Sequence, residues 1–132
     1  MTDRSHRPSL HKILALDAAT CVAMGILLVC ASGLIAGLTQ IPGPFLLWAG
    51  VILLPVAGFM AACARLKAIP SWAVQAIVSG NIFWVVGSMI LPMAGLINPN
   101  ALGWVFLIMQ SSVVAMFAAL EWVARRDPNP SA

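Results

Sequence analysis

The sequence predicts an all-α fold: a four-helix transmembrane bundle, up-down-up-down, with both termini cytoplasmic. Three observations predict it. Of the 132 residues, 61 % are hydrophobic and only 8 % are charged, against roughly 25 % charged in a soluble domain. Such a composition cannot cover a water-facing surface, so lipid is the expected solvent for much of the chain. Two long stretches contain no Asp, Glu, Lys or Arg: Ala18–Ala64, 47 residues, and Ala68–Leu120, 53 residues. A spanning helix takes about 20 residues, so each stretch holds two helices and a tight turn. Finally, the basic residues fall on one side of the path these helices trace.

Turn chemistry divides each apolar stretch. The first is broken by "TQIPGP" at 39–44 and the second by "PMAGLINPN" at 92–100. Proline and glycine clusters end helices, and Asn98-Pro99 is a good start for the last one, with Asn98 as cap and Pro99 in the first helical position. The expected helices are 12–38, 44–66, 71–92 and 99–124, forming a transmembrane domain over 12–124. A cytoplasmic tail is expected at each end, 1–11 and 125–132. A cleaved signal peptide is the competing reading of the first helix. Its apolar run exceeds an h-region, however, and a second span follows at once.

Orientation follows from charge. Arg4, Arg7 and Lys12 precede the first helix, Arg65 and Lys67 lie between the second and third, and Arg125 and Arg126 follow the fourth. The other two loops carry no basic residue, so the positive-inside rule places both termini in the cytoplasm. Trp48 and Trp104 then fall towards the outer interface, and Trp72 and Trp122 at the inner one, as an aromatic belt requires. Pro55 sits near the centre of the second helix, where the missing donor predicts a kink. "GLIAG", Gly33 to Gly37, offers a groove for close helix approach, more often an internal contact than a dimer face.

Polar residues inside these apolar runs are the candidates for function. Asn81 and Gln110 lie at similar depth in the antiparallel third and fourth helices. A side-chain amide in hydrocarbon needs a partner, so the simplest expectation is a hydrogen bond between the two. Ser88, seven residues from Asn81, shares its face. Lining a ligand or ion cavity is the alternative role. A second polar layer is expected near the cytoplasmic side, with Asp17, Gln75, Glu121 and the nearby Arg65. Glu121 has Arg125 at i+4 in the favourable order. Asp17 has no basic neighbour on its own helix, so Arg65 or Gln75 is its expected partner. An ionisable residue inside a span is a functional candidate, and structural pairing competes with that role.

Several function classes are disfavoured. Net charge is only +3, and the basic residues form no extended stripe, which argues against nucleic-acid binding. Cys21, Cys30 and Cys63 lie in apolar runs without a CxxC pair and read as small hydrophobes. His6 and His11 both precede the first span, so bis-histidine haem ligation within the bundle is not expected. No nucleophile–base pair or metal cluster stands out; the expectation is a non-enzyme with no cofactor.

The motifs "LDA" at 16–18 with Gly25 downstream, "NIFW…S" at 81–88, "LG" at 102–103, and Gln110 before "AALEW" at 118–122 resemble a family of small bacterial four-span integral membrane proteins without an assigned activity. The resemblance spans Leu14–Trp122. It implies a compact four-helix unit in a bacterial inner membrane, and it matches Asp17, Asn81, Trp84, Ser88 and Gln110 residue by residue. Two other four-span classes fit less well. Small multidrug exporters carry a Glu deeper in the first helix than Asp17 lies. Fluoride channels begin with a Gly-rich segment followed by Arg, which is missing here.

The expected role is therefore that of an accessory or interaction subunit. Its partners would be the lipid bilayer and either another membrane protein or a second copy of the chain. The alternative is a small homo-oligomeric transporter or channel with a polar pathway through Asp17, Asn81 and Gln110. Polar residues that converge without a cavity favour the first, and a continuous wet cavity from Asp17 to Asn81 favours the second.

Overall fold

The computed structural model describes residues 9–125. Four helices make up the fold: α1 (Leu10–Thr39), α2 (Gly43–Ala64), α3 (Ser71–Met93) and α4 (Ala101–Ala124). All four are long and apolar enough to cross a membrane. Short connections at 40–42, 65–70 and 94–100 make the path up-down-up-down, so this is an all-α, multi-pass transmembrane bundle with both ends on one side. Each helix end lies within two residues of its expected position. Arg4, His6, Arg7 and Arg126 lie outside the described residues.

Local chemistry explains the ends. Ser9 caps α1, its Oγ accepting from the Lys12 amide at 3.3 Å. Gln40 ends α1 in the left-handed region, φ 62°, a conformation that closes the helix through its amide bond to the Ala36 carbonyl. Pro42 and Pro44 then flank the start of α2, where a missing amide hydrogen costs nothing. The cap of α4 corrects the expectation. It is Asn100, not Asn98: its Oδ1 accepts from the Gly103 amide at 2.8 Å, and the helix starts at Ala101 rather than Pro99. Asn100 also donates from its Nδ2 to the Leu38 carbonyl at 2.9 Å and from its backbone to the Thr39 carbonyl at 3.0 Å. One residue thus caps α4 and ties it to the end of α1. A Cβ at Gly103 would overlap the Thr39 carbonyl oxygen, which explains why a glycine follows Leu102 there.

α1 packs most extensively on α2, α3 packs on α4, and α1 on α4 joins the two hairpins. α1 and α2 approach closely at Gly25 and Gly50. A Cβ on Gly50 would stand 2.8 Å from both the Gly25 carbonyl oxygen and the Leu28 Cβ. Gly33 and Gly37, the expected internal groove, instead have open space where a Cβ would go. The tight contact falls deeper in α1, before the irregular backbone at Ala31 (φ −123°, ψ 23°) turns the end of the helix. α2 runs as one helix through Pro55.

The outside of the bundle is apolar. Phe83 is 79 % and Met93 76 % exposed, and Leu34, Trp48, Trp72 and Met109 are largely exposed as well. Asp17, Asn81, Ser111 and Glu121 are buried among Leu14, Met60, Val74 and Ala118. This inversion of the water-soluble pattern suits a chain whose exterior meets hydrocarbon.

Candidate functional site

Three helical stripes converge on one polar cluster. On α1 the buried positions run Leu10, Ile13, Leu14, Asp17, Ala18, Cys21; on α3 they run Ala73, Val74, Ile77, Val78, Asn81; on α4 they include Ser111, Phe117, Ala118 and Glu121. Each polar residue sits at a position where helical spacing calls for an apolar one. Asn81 Nδ2 donates to Asp17 Oδ2 at 3.1 Å and to Glu121 Oε1 at 3.0 Å. A single amide nitrogen therefore bridges two carboxyl groups from different helices, and both its hydrogens are used. Cys21 Sγ, one turn from Asp17 on α1, donates to Asp17 Oδ1 at 3.7 Å, and Glu121 Oε2 is buried with no partner among the described residues.

The second cluster lies along α3 and α4, further from the chain ends. Trp84 Nε1 donates to Gln110 Oε1 at 2.8 Å. Gln110 Nε2 lies 3.0 Å from Ser88 Oγ, 2.9 Å from Ser111 Oγ and 3.2 Å from the Leu107 carbonyl. Its two hydrogens serve three acceptors, so one is shared. Ser88 in turn donates to the Trp84 carbonyl at 2.7 Å.

These contacts redraw the expected pairings. Asn81 does not bond Gln110. Side chains on a helix lean towards its N-terminus. In antiparallel neighbours the leanings converge, so Asn81 and Glu121 meet although their backbones differ in depth. Gln110 leans the other way and meets Ser88. Gln75 is exposed, since it falls between the buried pairs Ala73–Val74 and Ile77–Val78. Arg65 is also exposed, at the C-cap of α2, where its guanidinium avoids the cost of burial. Glu121 turns inward rather than pairing with Arg125, whose guanidinium stacks 3.5 Å from the Trp122 ring centre. That cation–π contact keeps the cation at the end of the helix. Cys21 and Ser111 were not among the sequence candidates. Spacing alone could have flagged them: Cys21 is at i+4 from Asp17, and Ser111 adjoins Gln110.

Beside the second cluster is an apolar cavity of about 360 Å³ lined from all four helices. Trp48 and Ile52 of α2 and Phe83 of α3, all exposed, are among its walls, and Ser88 and Gln110 are its polar residues. Asp17, Asn81 and Glu121 do not line it. Among the described residues, no three His, Cys, Asp or Glu side chains come together as a metal-ligand set. His11 Nε2 is engaged at 2.6 Å with the Leu66 carbonyl. No protein-family profile, curated protein or solved structure matches the chain.

Proposed function

We propose that the chain is a non-enzymatic interaction subunit of a bacterial inner membrane, with both termini cytoplasmic. The observation that carries this reading is that Asp17, Asn81 and Glu121, and separately Trp84, Ser88 and Gln110, bond one another between helices, whereas the helix exteriors offer mostly apolar surface. Asp17 and Asn81 converge within the bundle and do not line the cavity, the arrangement favouring an accessory role over a conduit. Sidedness is supported by the one-sided basic residues, and the bacterial membrane by the family resemblance of Leu14–Trp122.

Site-specific photo-crosslinking in native membranes tests the reading. A crosslinkable residue is placed at Phe83, Met109, Leu34 and Trp48 in turn, all exposed. The expected result is a discrete protein adduct from one helix face and none from the others. Lipid adducts alone from every position would overturn the proposal.

One observation favours a transporter as the second reading: the cavity reaches Gln110 from a wall of exposed residues. The pathway in that case would not be the expected Asp17/Asn81/Gln110 line. Asn81 belongs to the carboxyl cluster and Gln110 to the cavity, and transport would have to couple the two through α3, which carries both Asn81 and Trp84.

A further inference from the structure

Asp17 is 2 % exposed and Glu121 is 0 % exposed. Two ionised carboxylates so placed would carry two like charges inside an apolar bundle, a far costlier arrangement than one charge or none. Among the described residues, the surroundings offer no counter-ion. From α1, the group facing Asp17 is the Cys21 thiol; Lys12 is exposed and His11 is engaged with Leu66. From α3, it is the neutral Asn81 amide. On α4 itself, Arg125 is stacked on Trp122. From α2, the buried titratable group is the neutral Cys63 thiol, and beyond that helix Arg65 and Lys67 are exposed.

Hydrogen-bond counting points the same way by an independent route. Asn81 has two amide hydrogens, and each carboxyl takes one. Among the described residues, Glu121 Oε2 is then left as a buried acceptor without a donor, a state that native proteins avoid. A proton on this oxygen removes the defect. It turns Oε2 into a donor beside the Asp17 carboxyl, which shares the Asn81 nitrogen with Glu121, and leaves Asn81 bonded to Glu121 Oε1 and Asp17 Oδ2 as observed.

We propose that Asp17, Glu121 and Asn81 form an intramembrane proton-binding site, in which one proton on Glu121 Oε2 is shared with Asp17 at neutral pH. The proton comes from water at the nearby helix ends and returns there, and no other bond is made or broken. Asn81 positions the two carboxyls and takes no proton. Because Asp17 is on α1 and Glu121 on α4, the charge of the contact joining the two hairpins depends on this proton. The inference goes beyond the interaction role and does not depend on it.

Infrared spectroscopy of the full-length protein in a detergent without ester groups tests the proposal. The chain has only four acidic side chains, Asp3, Asp17, Glu121 and Asp127, so the carboxyl region is sparse. The expected result at neutral pH is a protonated-carboxyl C=O band worth one group per chain, shifted in heavy water. It should persist in the Asp3→Asn, Asp127→Asn double variant and be lost or moved in Glu121→Gln and Asp17→Asn. Absence of the band from the wild type at neutral pH would overturn the proposal, including the case in which stability then depends on sodium and the site holds a cation. A band untouched by both cluster substitutions would overturn it equally. If those variants fail to fold, the wild type and the double tail variant still decide the matter.

Discussion

Asn81 Nδ2 stands 3.0 Å from Glu121 Oε1 across the α3–α4 interface, and this bond, not one to Gln110, fixes the polar register of the second hairpin. Asn81→Leu removes the donor from two buried carboxyls at once. Its expected cost is about 2 kcal/mol, within the penalty range for buried groups left unpaired. Gln110→Leu acts on a separate cluster, so the two losses should add to within about 0.5 kcal/mol. Asn81→Leu with Glu121→Leu should fall well short of the sum of its single variants. Unfolding in mixed micelles measures all five. Strong coupling between positions 81 and 110 would contradict the contacts described.

Four helices, their ends to within two residues, and the choice of Asp17, Asn81, Ser88, Gln110 and Glu121 as polar candidates are legible in charge-free length and helical spacing. The pairings are not. Matching Asn81 to Gln110 by distance from the helix ends ignored the lean of side chains towards each N-terminus. Pairing Asp17 with Arg65 weighed Coulomb attraction without the cost of bringing a guanidinium into hydrocarbon. Gly33 and Gly37 have the spacing of a contact motif, yet spacing does not say which face of α1 meets α2; that contact is made through Gly25 and Gly50.

Glycine substitutions test the crossing directly. Gly50→Ala places a methyl against backbone and the Leu28 Cβ, neither of which can swing away. The expected loss is about 1–3 kcal/mol, the range for overpacking. Gly33→Ala and Gly37→Ala meet open space and gain helix propensity, so they should be neutral or stabilising by up to about 1 kcal/mol. Thermal unfolding in detergent ranks the three. The opposite order would mean that α1 and α2 cross elsewhere.

Asn100 is expected to matter more than Asn98. Asn100→Ala loses the cap on the Gly103 amide and the bond to the Leu38 carbonyl; loss of the cap alone costs about 1 kcal/mol. Asn98 is exposed, and Asn98→Ala should change stability by less than about 0.5 kcal/mol. Equal effects at the two positions would remove Asn100 from its role as the tie between α1 and α4.

Sidedness is open to a labelling experiment. In a background with Cys21, Cys30 and Cys63 replaced, single cysteines at Gln40 and Asn98, both exposed in connections, should react with an impermeant thiol reagent added to intact cells. Cysteines at Ser5 and Ser131 should react only after the membrane is opened. The reverse pattern would place the termini outside.

Asp17 provides the last test, because its two candidate partners predict different rescues. Its observed bonds run to Asn81 and Cys21, and Arg65 is exposed. Asp17→Asn keeps an oxygen that can accept from Asn81 and adds an NH₂ that can donate to the Glu121 carboxyl, so it should be tolerated to within about 1 kcal/mol. Asp17→Leu leaves an Asn81 hydrogen unpaired and should cost about 1–3 kcal/mol. If Asp17 were ion-paired with Arg65, removing the stranded cation would offset much of that loss. The geometry predicts no such offset: Arg65→Gln should shift stability by less than about 0.5 kcal/mol, alone or beside Asp17→Leu. A rescue larger than about 1 kcal/mol would exceed the usual non-additivity of distant sites. It would put Arg65 back beside Asp17 and remove the argument that the carboxyl pair lacks a counter-ion.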